Sequence, residues 1–296
     1  MKIGIDLGGT KTEIAAFDDA GRELLRRRAP TPSGDYAATL ALINQLVGDA
    51  ERESAATATV GIATPGAASP ATGLMRNSNS TCLNGRPFAR DLERVLHRSV
   101  RLANDANCFA LSESVDGAAA GASIVFGVIL GTGVGGGIVI NREVIDGPNA
   151  IAGEWGHNPL PWPRDDERPG TACYCGKQGC IETWLSGPGL ARDYGSHGGG
   201  NDSAIDIVAR LAHDSGVQAA LARYEERLAR ALASVINVLD PEVVVLGGGL
   251  SNIERLYVNV PLLWGRYVFS DTVRTRLVRN RHGDSSGVRG AAWLWE

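Results

Sequence analysis

The sequence predicts an α/β protein made of two duplicated halves that face each other across a cleft. Two observations support this fold class. An apolar strand, a glycine-rich turn and a second strand occupy residues 3–17, and the same order returns over residues 123–141. After each hairpin, short strands alternate with segments whose apolar residues recur at helical spacing. We therefore expect one domain at residues 1–120 and a second at residues 121–296.

The first half is expected to begin as a β-sheet, because its opening segments are short, apolar and separated by turn residues. Its expected elements are strands at 2–6, 12–17 and 23–28, a helix from Asp35 to about Arg52, a strand at 57–63, a loop rich in Gly, Pro, Ser and Asn at 64–86, a helix near 88–98, a strand at 100–103 and a helix from about Asp105.

The second half repeats the opening hairpin and then becomes mostly helical. Its expected elements are strands at 123–130 and 137–141, helices at 203–213 and 217–238, a buried strand at 243–246, a helix beginning near Ser251, a strand at 273–279 and a helix at 287–295. We expect this last segment, residues 287–296, to be the part of the second half that packs back on the first domain.

Composition excludes several classes of protein. Hydrophobic residues make up 44% of the chain and charged residues 21%, as in ordinary globular proteins. No apolar run approaches the ~20 residues of a membrane span, and the start M-K-I-G-I-D does not resemble a secretory signal, so a cytoplasmic location is expected. A net charge of -4 gives no electrostatic footprint for a nucleic acid partner.

Three cysteines and one histidine form the most distinctive cluster in the sequence. Cys173, Cys175 and Cys180 stand in the short run C-Y-C-G-K-Q-G-C, and His157 precedes them. Three thiolates and one imidazole are a ligand set that tetrahedral Zn²⁺ favours, so a structural zinc site is predicted in the loop 157–180. The alternative is free or disulfide-bonded cysteines in an irregular loop.

Two carboxylates flank this cluster, Glu154 before it and Glu182 after it. Carboxylates and amides recognise arrays of neutral hydroxyl groups, because they accept or donate several hydrogen bonds at fixed angles. The alternative for both glutamates is a solvated surface position. Their place at the two ends of the cluster favours a polar pocket.

Three glycine-rich turns can present backbone N–H groups to phosphate oxygens. They are Gly8, Gly9, Thr10 and Lys11 in the first hairpin, Gly131, Thr132 and Gly133 in the second, and Gly247, Gly248 and Gly249 after the strand at 243–246. Each alone is equally well explained as a tight turn. The spacing of Gly131, Gly133 and Gly136 matches a dinucleotide fingerprint, but the residues that follow predict a strand where that fingerprint needs a helix.

The glycine turns resemble those of the hexokinase and actin-like ATPase superfamily, whose domains are ribonuclease H-like. In that superfamily a D-x-G-G-T hairpin and a second Gly-Thr-Gly hairpin hold the phosphates of ATP from opposite sides. Here the first matches Asp6 to Thr10 and the second matches Gly131 to Gly133. The resemblance implies that Asp6 orients Mg²⁺ through water and that Gly247 to Gly249 lie on the adenosine side.

The segment L-A-N-D-A-N-C resembles the ROK family of sugar kinases, in which the aspartate that matches Asp105 takes the proton from the attacking sugar hydroxyl. From the residues alone, Asp105 is equally well explained as a helix N-cap. The cysteine run and the E-W-G-H segment resemble two further ROK motifs, and the resemblance covers essentially the whole chain. It implies sugar contacts from Glu154, Glu182 and His157, with one ring nitrogen of His157 on zinc.

The remaining sugar contacts implied by the resemblance are Gly66, Asn104 and Asn79, and Asn79 is equally well explained as part of a polar turn. Within the family, the segments around Asp105 and His157 and the C-terminal run resemble bacterial fructokinases. The resemblance therefore implies transfer of phosphate from ATP to O6 of fructose, or of mannose. The alternatives are a glucokinase or an N-acetylglucosamine kinase of the same family.

A different class of ROK protein, the sugar-responsive regulator, carries a helix-turn-helix before the first strand. The strand pattern here starts at Lys2, so we expect a catalyst. The resemblance implies Mg²⁺ with ATP, a structural Zn²⁺, ATP and a hexose as small-molecule partners, no nucleic acid or membrane partner, and a homodimer.

Overall fold

The computed structural model describes residues 1–295, except for the side chain of Asp284. In chain order, the first half contains β1 (Lys2–Leu7), β2 (Lys11–Phe17), β3 (Glu23–Pro30), α1 (Tyr36–Ser54), β4 (Thr59–Thr64), β5 (Ala67–Ala68), β6 (Met75–Arg76), α2 (Phe88–Leu96), β7 (Val100–Asn104) and α3 (Asp105–Val115). A single 3₁₀ turn at Thr81–Leu83 lies in the loop before α2.

The second half contains β8 (Ile124–Leu130), β9 (Val134–Ile140), β10 (Glu143–Val144), α4 (Ile181–Leu185), α5 (Gly187–Ser196), α6 (Ala204–Ala209), α7 (Ser215–Leu239), β11 (Val243–Gly247), α8 (Leu256–Trp264), β12 (Arg276–Arg279) and α9 (Ser286–Trp293). Short 3₁₀ helices occur at Trp155–His157, Asp165–Glu167, Gly249–Asn252 and Gly283–Ser285.

The two large sheets have the same topology, which confirms the predicted duplicated α/β fold. Their strand orders are β3-β2-β1-β4-β7 and β10-β9-β8-β11-β12. In both, the opening hairpin is antiparallel and the next two strands join in parallel. The run Val243 to Leu246 is fully buried in β11, between β8 and β12, as a continuous apolar strand of a parallel sheet should be.

Side chains placed just before the first turn start several helices. Asp35, Asn104, Ser186, Ser203 and Asp214 each accept a hydrogen bond from a backbone N–H of the helix that follows. Such caps satisfy donors that have no partner inside the helix and typically contribute ~1 kcal/mol each. The start of α3, on which the candidate site depends, is therefore fixed by Asn104.

The helix predicted near Ser251 is wrong. Residues Gly249–Asn252 form a 3₁₀ helix instead, and α8 begins at Leu256. The hydroxyl of Ser251 donates to the Gly248 carbonyl at 2.7 Å, and the amide of Asn252 donates to the Gly249 carbonyl at 3.1 Å. These local bonds favour a tight turn over a regular helix.

Other boundaries also differ from the prediction. The helix predicted at 203–213 ends at Ala209, and neither α4 nor α5 was predicted. The sequence of α5 begins G-P-G, which indicates a loop, but Ser186 caps it and its proline stands in the first turn, where a missing N–H costs nothing.

Helices α3 and α9 lie between the two sheets, and each packs mainly on the sheet of the other half. Helix α9 packs on β1 and β4 of the first sheet, while α3 packs on β8 and β9 of the second. The boundary between residues 120 and 121 stays a prediction. Glu296, the last residue of the predicted C-terminal segment, lies outside the described residues.

The contact of α9 with the first sheet and with α3 requires glycine. A β-carbon added at Gly61 of β4 would lie 1.8 Å from the carbonyl oxygen of Ala291, and one at Gly290 would lie 1.7 Å from that of Cys108. No real side chain fits at these distances, so backbone meets backbone at both places.

Among residues 1–295, no helix is both long and apolar enough to cross a membrane.

We expect Gly61→Ala to destabilise the protein by about 3 kcal/mol, because α9 must move away from β4 to admit the methyl group. Gly265→Ala is the matched control, since nothing lies within 4 Å of a β-carbon there. Urea denaturation followed by circular dichroism measures both. Equal stability of the two variants would show that α9 does not pack as described.

Candidate active site

Asp105 is the first residue of α3 and stands next to the capping residue Asn104. Its Oδ1 accepts a hydrogen bond from the N–H of Ala106 at 2.8 Å. The side chain keeps solvent-accessible surface, yet the surrounding protein removes enough water that desolvation raises its pKa, against the lowering effect of backbone hydrogen bonds. Asp105 is therefore a carboxyl group that a small molecule can reach and whose proton affinity exceeds that of a surface aspartate.

Asp6 lies near the end of β1 and is electrostatically coupled to Asp105. Desolvation, followed by the charges of Asp105 and Glu13, raises the pKa of Asp6 to about 6, and Lys11 opposes the rise. The pKa of the buried Cys108 thiol is also raised, first by desolvation and then by Asp6, Asp105 and Asp146. Three carboxylates thus surround the start of α3.

The two hairpin turns have matching positions in the two sheets. In the first, the N–H of Gly8 donates to the Lys11 carbonyl at 3.0 Å; in the second, the N–H of Gly131 donates to the Gly133 carbonyl at 3.0 Å. The second turn also contacts the start of α5, since the N–H of Gly187 donates to the Gly131 carbonyl at 2.7 Å.

A mostly apolar cavity of about 750 Å³ opens beside the second turn. Gly131 and Thr132 line it together with Gly249 and with the first residues of α5, Gly187 and Pro188. The α5 residues could not be predicted there from the sequence, because the segment resembles a loop. The structure therefore brings the second and third glycine turns to one cavity.

Gly248 and Gly247 also allow neighbouring parts of the chain to pack closely against them. A β-carbon at Gly248, whose φ is +79°, would lie 2.4 Å from the carbonyl oxygen of Leu130, and one at Gly247 would lie 2.5 Å from the ring of Phe109. Gly248 and Gly249 line an adjoining cavity of about 420 Å³.

Three of the predicted sugar contacts meet at a smaller cavity of about 130 Å³. They are Gly66, Asn104 and Glu154. Three further polar residues line it, Thr64, Asn107 and Asp146, and none of them was predicted from the sequence. Asn107 is the last residue of the N-D-A-N segment, so this motif could have predicted its place in the site. Asp146 lies in irregular chain after β10 and belongs to no motif that could have predicted it.

Asn79 lies elsewhere. It lines a separate cavity of about 140 Å³ that it shares with Gly9 of the first hairpin turn. The structure therefore places Asn79 with the first glycine turn and not with Gly66 and Asn104, because the loop before α2 folds along that turn.

Glu182 lies at the second hairpin turn. Its Oε2 accepts a hydrogen bond from the N–H of Val134 at 3.0 Å, directly after Gly133. Desolvation, with contributions from the charges of Glu182, Cys173 and Glu154, raises the pKa of the Tyr174 phenol to about 12. Tyr174 thus lies near both glutamates, and its hydroxyl is 3.0 Å from His157 Nε2.

The predicted cysteine and histidine cluster is present. The ligand atoms of His157, Cys173, Cys175 and Cys180 all lie within 4.8 Å of one another. Sγ of Cys175 and Sγ of Cys180 are 3.6 Å apart, as are Sγ of Cys173 and Nδ1 of His157. Zinc bonds of ~2.3 Å to sulfur and ~2.0 Å to nitrogen give tetrahedral edges of roughly 3.5–3.8 Å, so these atoms fit one ion.

The turn that carries these cysteines is formed by the backbone. The N–H of Cys173 donates to the Lys177 carbonyl at 2.8 Å, and the N–H of Gly176 donates to the Cys173 carbonyl at 3.0 Å. Gly176 has a φ of +87°. The backbone turn thereby gathers the ligand set, with Nδ1 of His157 toward the sulfurs.

Comparison with known proteins identifies the family. The sequence profile of the ROK family matches residues 2–296, and the chain belongs to this family. It is 40% identical to the N-acetyl-D-glucosamine kinase of Vibrio vulnificus over 99% of both chains. It is 39% identical to the N-acetyl-D-glucosamine kinase of Yersinia pseudotuberculosis, over 99% of this chain and 98% of the relative.

Solved structures agree with this assignment. The ROK hexokinase of Thermus thermophilus superposes with a TM-score of 0.88 at 32% identity, covering 99% of this chain and 97% of the other. The ROK glucokinase of Streptomyces griseus, solved with glucose and AMPPNP, superposes with a TM-score of 0.76 at 26% identity over 99% and 98% of the two chains. The chain is a sugar kinase of the ROK family.

We expect Cys175→Ala to lower the zinc content of the purified protein from about one ion per chain to near zero, because three ligands hold Zn²⁺ far less well than four. The melting temperature should fall with it. Cys82→Ala is the control, since this thiol lies outside the cluster. Metal analysis by mass spectrometry measures the ion, and a wild-type protein that never contains zinc would contradict the prediction.

We expect Asp6→Asn to stabilise the protein by roughly 1–3 kcal/mol at pH 7. The native pKa of about 6 lies above the ordinary aspartate value of 3.8, so between these values the native state holds a proton that the unfolded chain has released. Stability therefore falls as pH rises through this window, and the advantage of the variant should vanish near pH 4.

Denaturation at pH 4 and pH 7 tests this sign for Asp6→Asn. Asp166→Asn is the control, because Asp166 is exposed. An Asp6→Asn variant less stable than wild type at pH 7 would argue against the described burial of Asp6.

Proposed function

We propose that the protein transfers the γ-phosphoryl group of ATP to O6 of N-acetylglucosamine, with Asp105 as the general base. The observation that carries this proposal is the position of Asp105: it follows Asn104, which lines the cavity shared with Gly66 and Glu154, and it is coupled to Asp6 of the first hairpin. A base in this position lies between a hydroxyl-binding pocket and a phosphate-binding turn, as phosphoryl transfer requires.

The choice of sugar follows the relatives. The fructokinase expectation has no support from them, because the curated relatives described above are N-acetyl-D-glucosamine kinases at 39–40% identity over nearly their whole length. The named alternative is therefore preferred to fructose or mannose. Glucose is the second candidate, since the Streptomyces griseus structure is a glucokinase with glucose bound.

On the nucleotide side, the cavity beside Gly131, Thr132 and Gly249 is the proposed site of ATP. Its apolar lining suits a purine, and backbone N–H groups of glycine turns are suitable donors to phosphate oxygens. Gly8 to Lys11 would hold the phosphates from the other side. Mg²⁺ bound to ATP supplies positive charge to the transferring phosphoryl group, and Asp6 is the carboxylate placed to orient it through water.

On the sugar side, Glu154 and Asn104 are proposed to bind hydroxyl groups. We propose that Glu182, beside the second hairpin turn, and His157 also bind hydroxyl groups, and that Zn²⁺ on His157 Nδ1 and the three thiolates fixes the ring of His157. Asn79 lines a different cavity from Asn104 and Glu154, together with Gly9 of the first turn. Its position therefore favours a role at the first turn over a role in sugar binding.

Three further expectations remain predictions of this proposal: the cytoplasmic location, the homodimer and the absence of a nucleic acid partner. A structure of a ROK transcriptional regulator superposes with a TM-score of 0.84 at 22% identity, a likeness that concerns the fold alone. Asp6, Asp105 and the glycine turns together favour catalysis.

We expect Asp105→Asn to lower kcat by roughly 10²–10⁴-fold while the affinity for sugar stays close to that of wild type, because the amide keeps the shape of the side chain but cannot accept the proton. Coupled ADP release with N-acetylglucosamine, glucose, mannose and fructose measures turnover, and calorimetry measures sugar binding. Asp166→Asn, the same change at an exposed aspartate, is the control. An Asp105→Asn enzyme with normal kcat would refute the base assignment, and wild-type preference for fructose would refute the proposed sugar.

A further inference from the structure

The cavity of about 130 Å³ has a lining that the hydroxyl groups of a hexose do not explain. Beside Gly66, Asn104 and Glu154, much of its wall is apolar and comes from Ala67, Ala68, Met75, Ile151 and Ala152. A water molecule occupies roughly 30 Å³ in the liquid, so the cavity has room for a substituent of several heavy atoms. A hydroxyl group alone would leave these side chains facing water.

Asn107 and Asp146 form a polar pair at the same cavity. Nδ2 of Asn107 donates to Oδ1 of Asp146 at 2.9 Å. Because an ionised carboxylate only accepts, this bond fixes the orientation of the Asn107 amide. The backbone N–H of Asn107 donates to Asn104 Oδ1 at 2.7 Å, so the pair is anchored to the cap of α3.

The pair has unused capacity to accept hydrogen bonds. Asn107 is only 6% exposed, and its side-chain Oδ1 has no hydrogen-bond partner among the described residues. A buried acceptor without a partner is destabilising. Asp146 is exposed at the cavity, and a carboxylate oxygen has room for more than one donor. Both residues therefore favour a ligand that brings an N–H or O–H donor.

We propose that Asp146 accepts the N–H of the 2-acetamido group of the sugar, that Asn107 positions Asp146, and that the acetyl methyl group packs on the apolar wall beside Ala68 and Ile151. An acetamido group has a donor next to a methyl group, which is the combination this lining accommodates. Asp146 is then a specificity-determining residue and Asn107 a positioning residue. This inference rests on the proposed function and names the part of the site that selects the substrate.

The first test is the ratio of kcat/KM for N-acetylglucosamine to kcat/KM for glucose. In Asp146→Ala this ratio should fall roughly tenfold or more, because glucose has no acetamido N–H to lose. Asn107→Ala should lower the same ratio, and the double variant should lower it little further, since both changes remove one interaction. Asp165→Ala, at an exposed aspartate, is the control.

The second test fills the cavity without touching the polar pair. Ala68→Leu places a larger side chain on the apolar wall and should lower kcat/KM for N-acetylglucosamine more than kcat/KM for glucose. Ala71→Leu is the matched control, since Ala71 is exposed nearby and does not line the cavity. This variant keeps the inference testable where Asp146→Ala fails to fold.

The outcomes separate the inference from the proposed function. An unchanged ratio in folded Asp146→Ala and Ala68→Leu, or an equal loss with both sugars, overturns the inference and leaves the kinase proposal standing. Absence of ATP-dependent phosphorylation of every hexose overturns the proposed function instead. The inference is then decided by calorimetry: tighter binding of N-acetylglucosamine than glucose, lost in Asp146→Ala, supports it, and equal binding overturns it.

Discussion

The stacking of α3 and α9 between the two sheets is the constraint on which the rest of the structure depends. Several contacts in this stack are so close that only glycine fits. A β-carbon at Gly137 of β9 would lie 2.4 Å from the carbonyl oxygen of Ala106 in α3, and one at Gly287 of α9 would lie 2.9 Å from Asp6 Oδ2. Because helices packed this closely cannot slide without large clashes, the first turn of α3 has a fixed position relative to β1. That position brings Asp105 to Asp6.

The approach of Asp105 to Asp6 suits phosphoryl transfer better than it suits the stability of the fold, for an electrostatic reason. The carboxylates of Asp6, Asp105 and Asp146 surround the start of α3, and desolvation raises the pKa of all three. Holding like charges close together where water is partly removed opposes folding, and glycine contacts around them add no compensating side-chain packing. Cations are the natural partners of such a cluster. In the proposed reaction Mg²⁺ arrives with the nucleotide, so the unfavourable charge arrangement of the free protein becomes favourable when substrate binds.

A further carboxylate, which is fully buried, holds α3 and α9 together. Glu113 of α3 is fully buried and accepts hydrogen bonds from the backbone N–H groups of Arg281 and His282 and from the hydroxyl of Ser286. The segment that leads into α9 is thus attached to α3 by bonds that a charged acceptor strengthens. The packing of the C-terminal segment on the first domain was expected, but local periodicity does not predict that α3 crosses to the second sheet. This crossing depends on contacts between residues far apart in sequence, such as Glu113 with Ser286.

The same distinction explains which parts of the site the sequence could predict. The glycine hairpins and the cysteine cluster are local motifs, so short segments were enough to predict the turns and the gathered ligand set. The cavity that holds Asn104 is assembled from four separate segments, at 64–68, 75, 102–107 and 146–154. Its shape depends on how the loop after β10 approaches α3, and no single motif predicts that approach. Resemblance of the segments around Asp105 and His157 therefore identified the family but favoured fructose, which the curated relatives do not support, because those segments carry the shared chemistry. Selection among hexoses depends instead on residues such as Asp146, which lies outside every recognisable motif and becomes interpretable only beside Asn107.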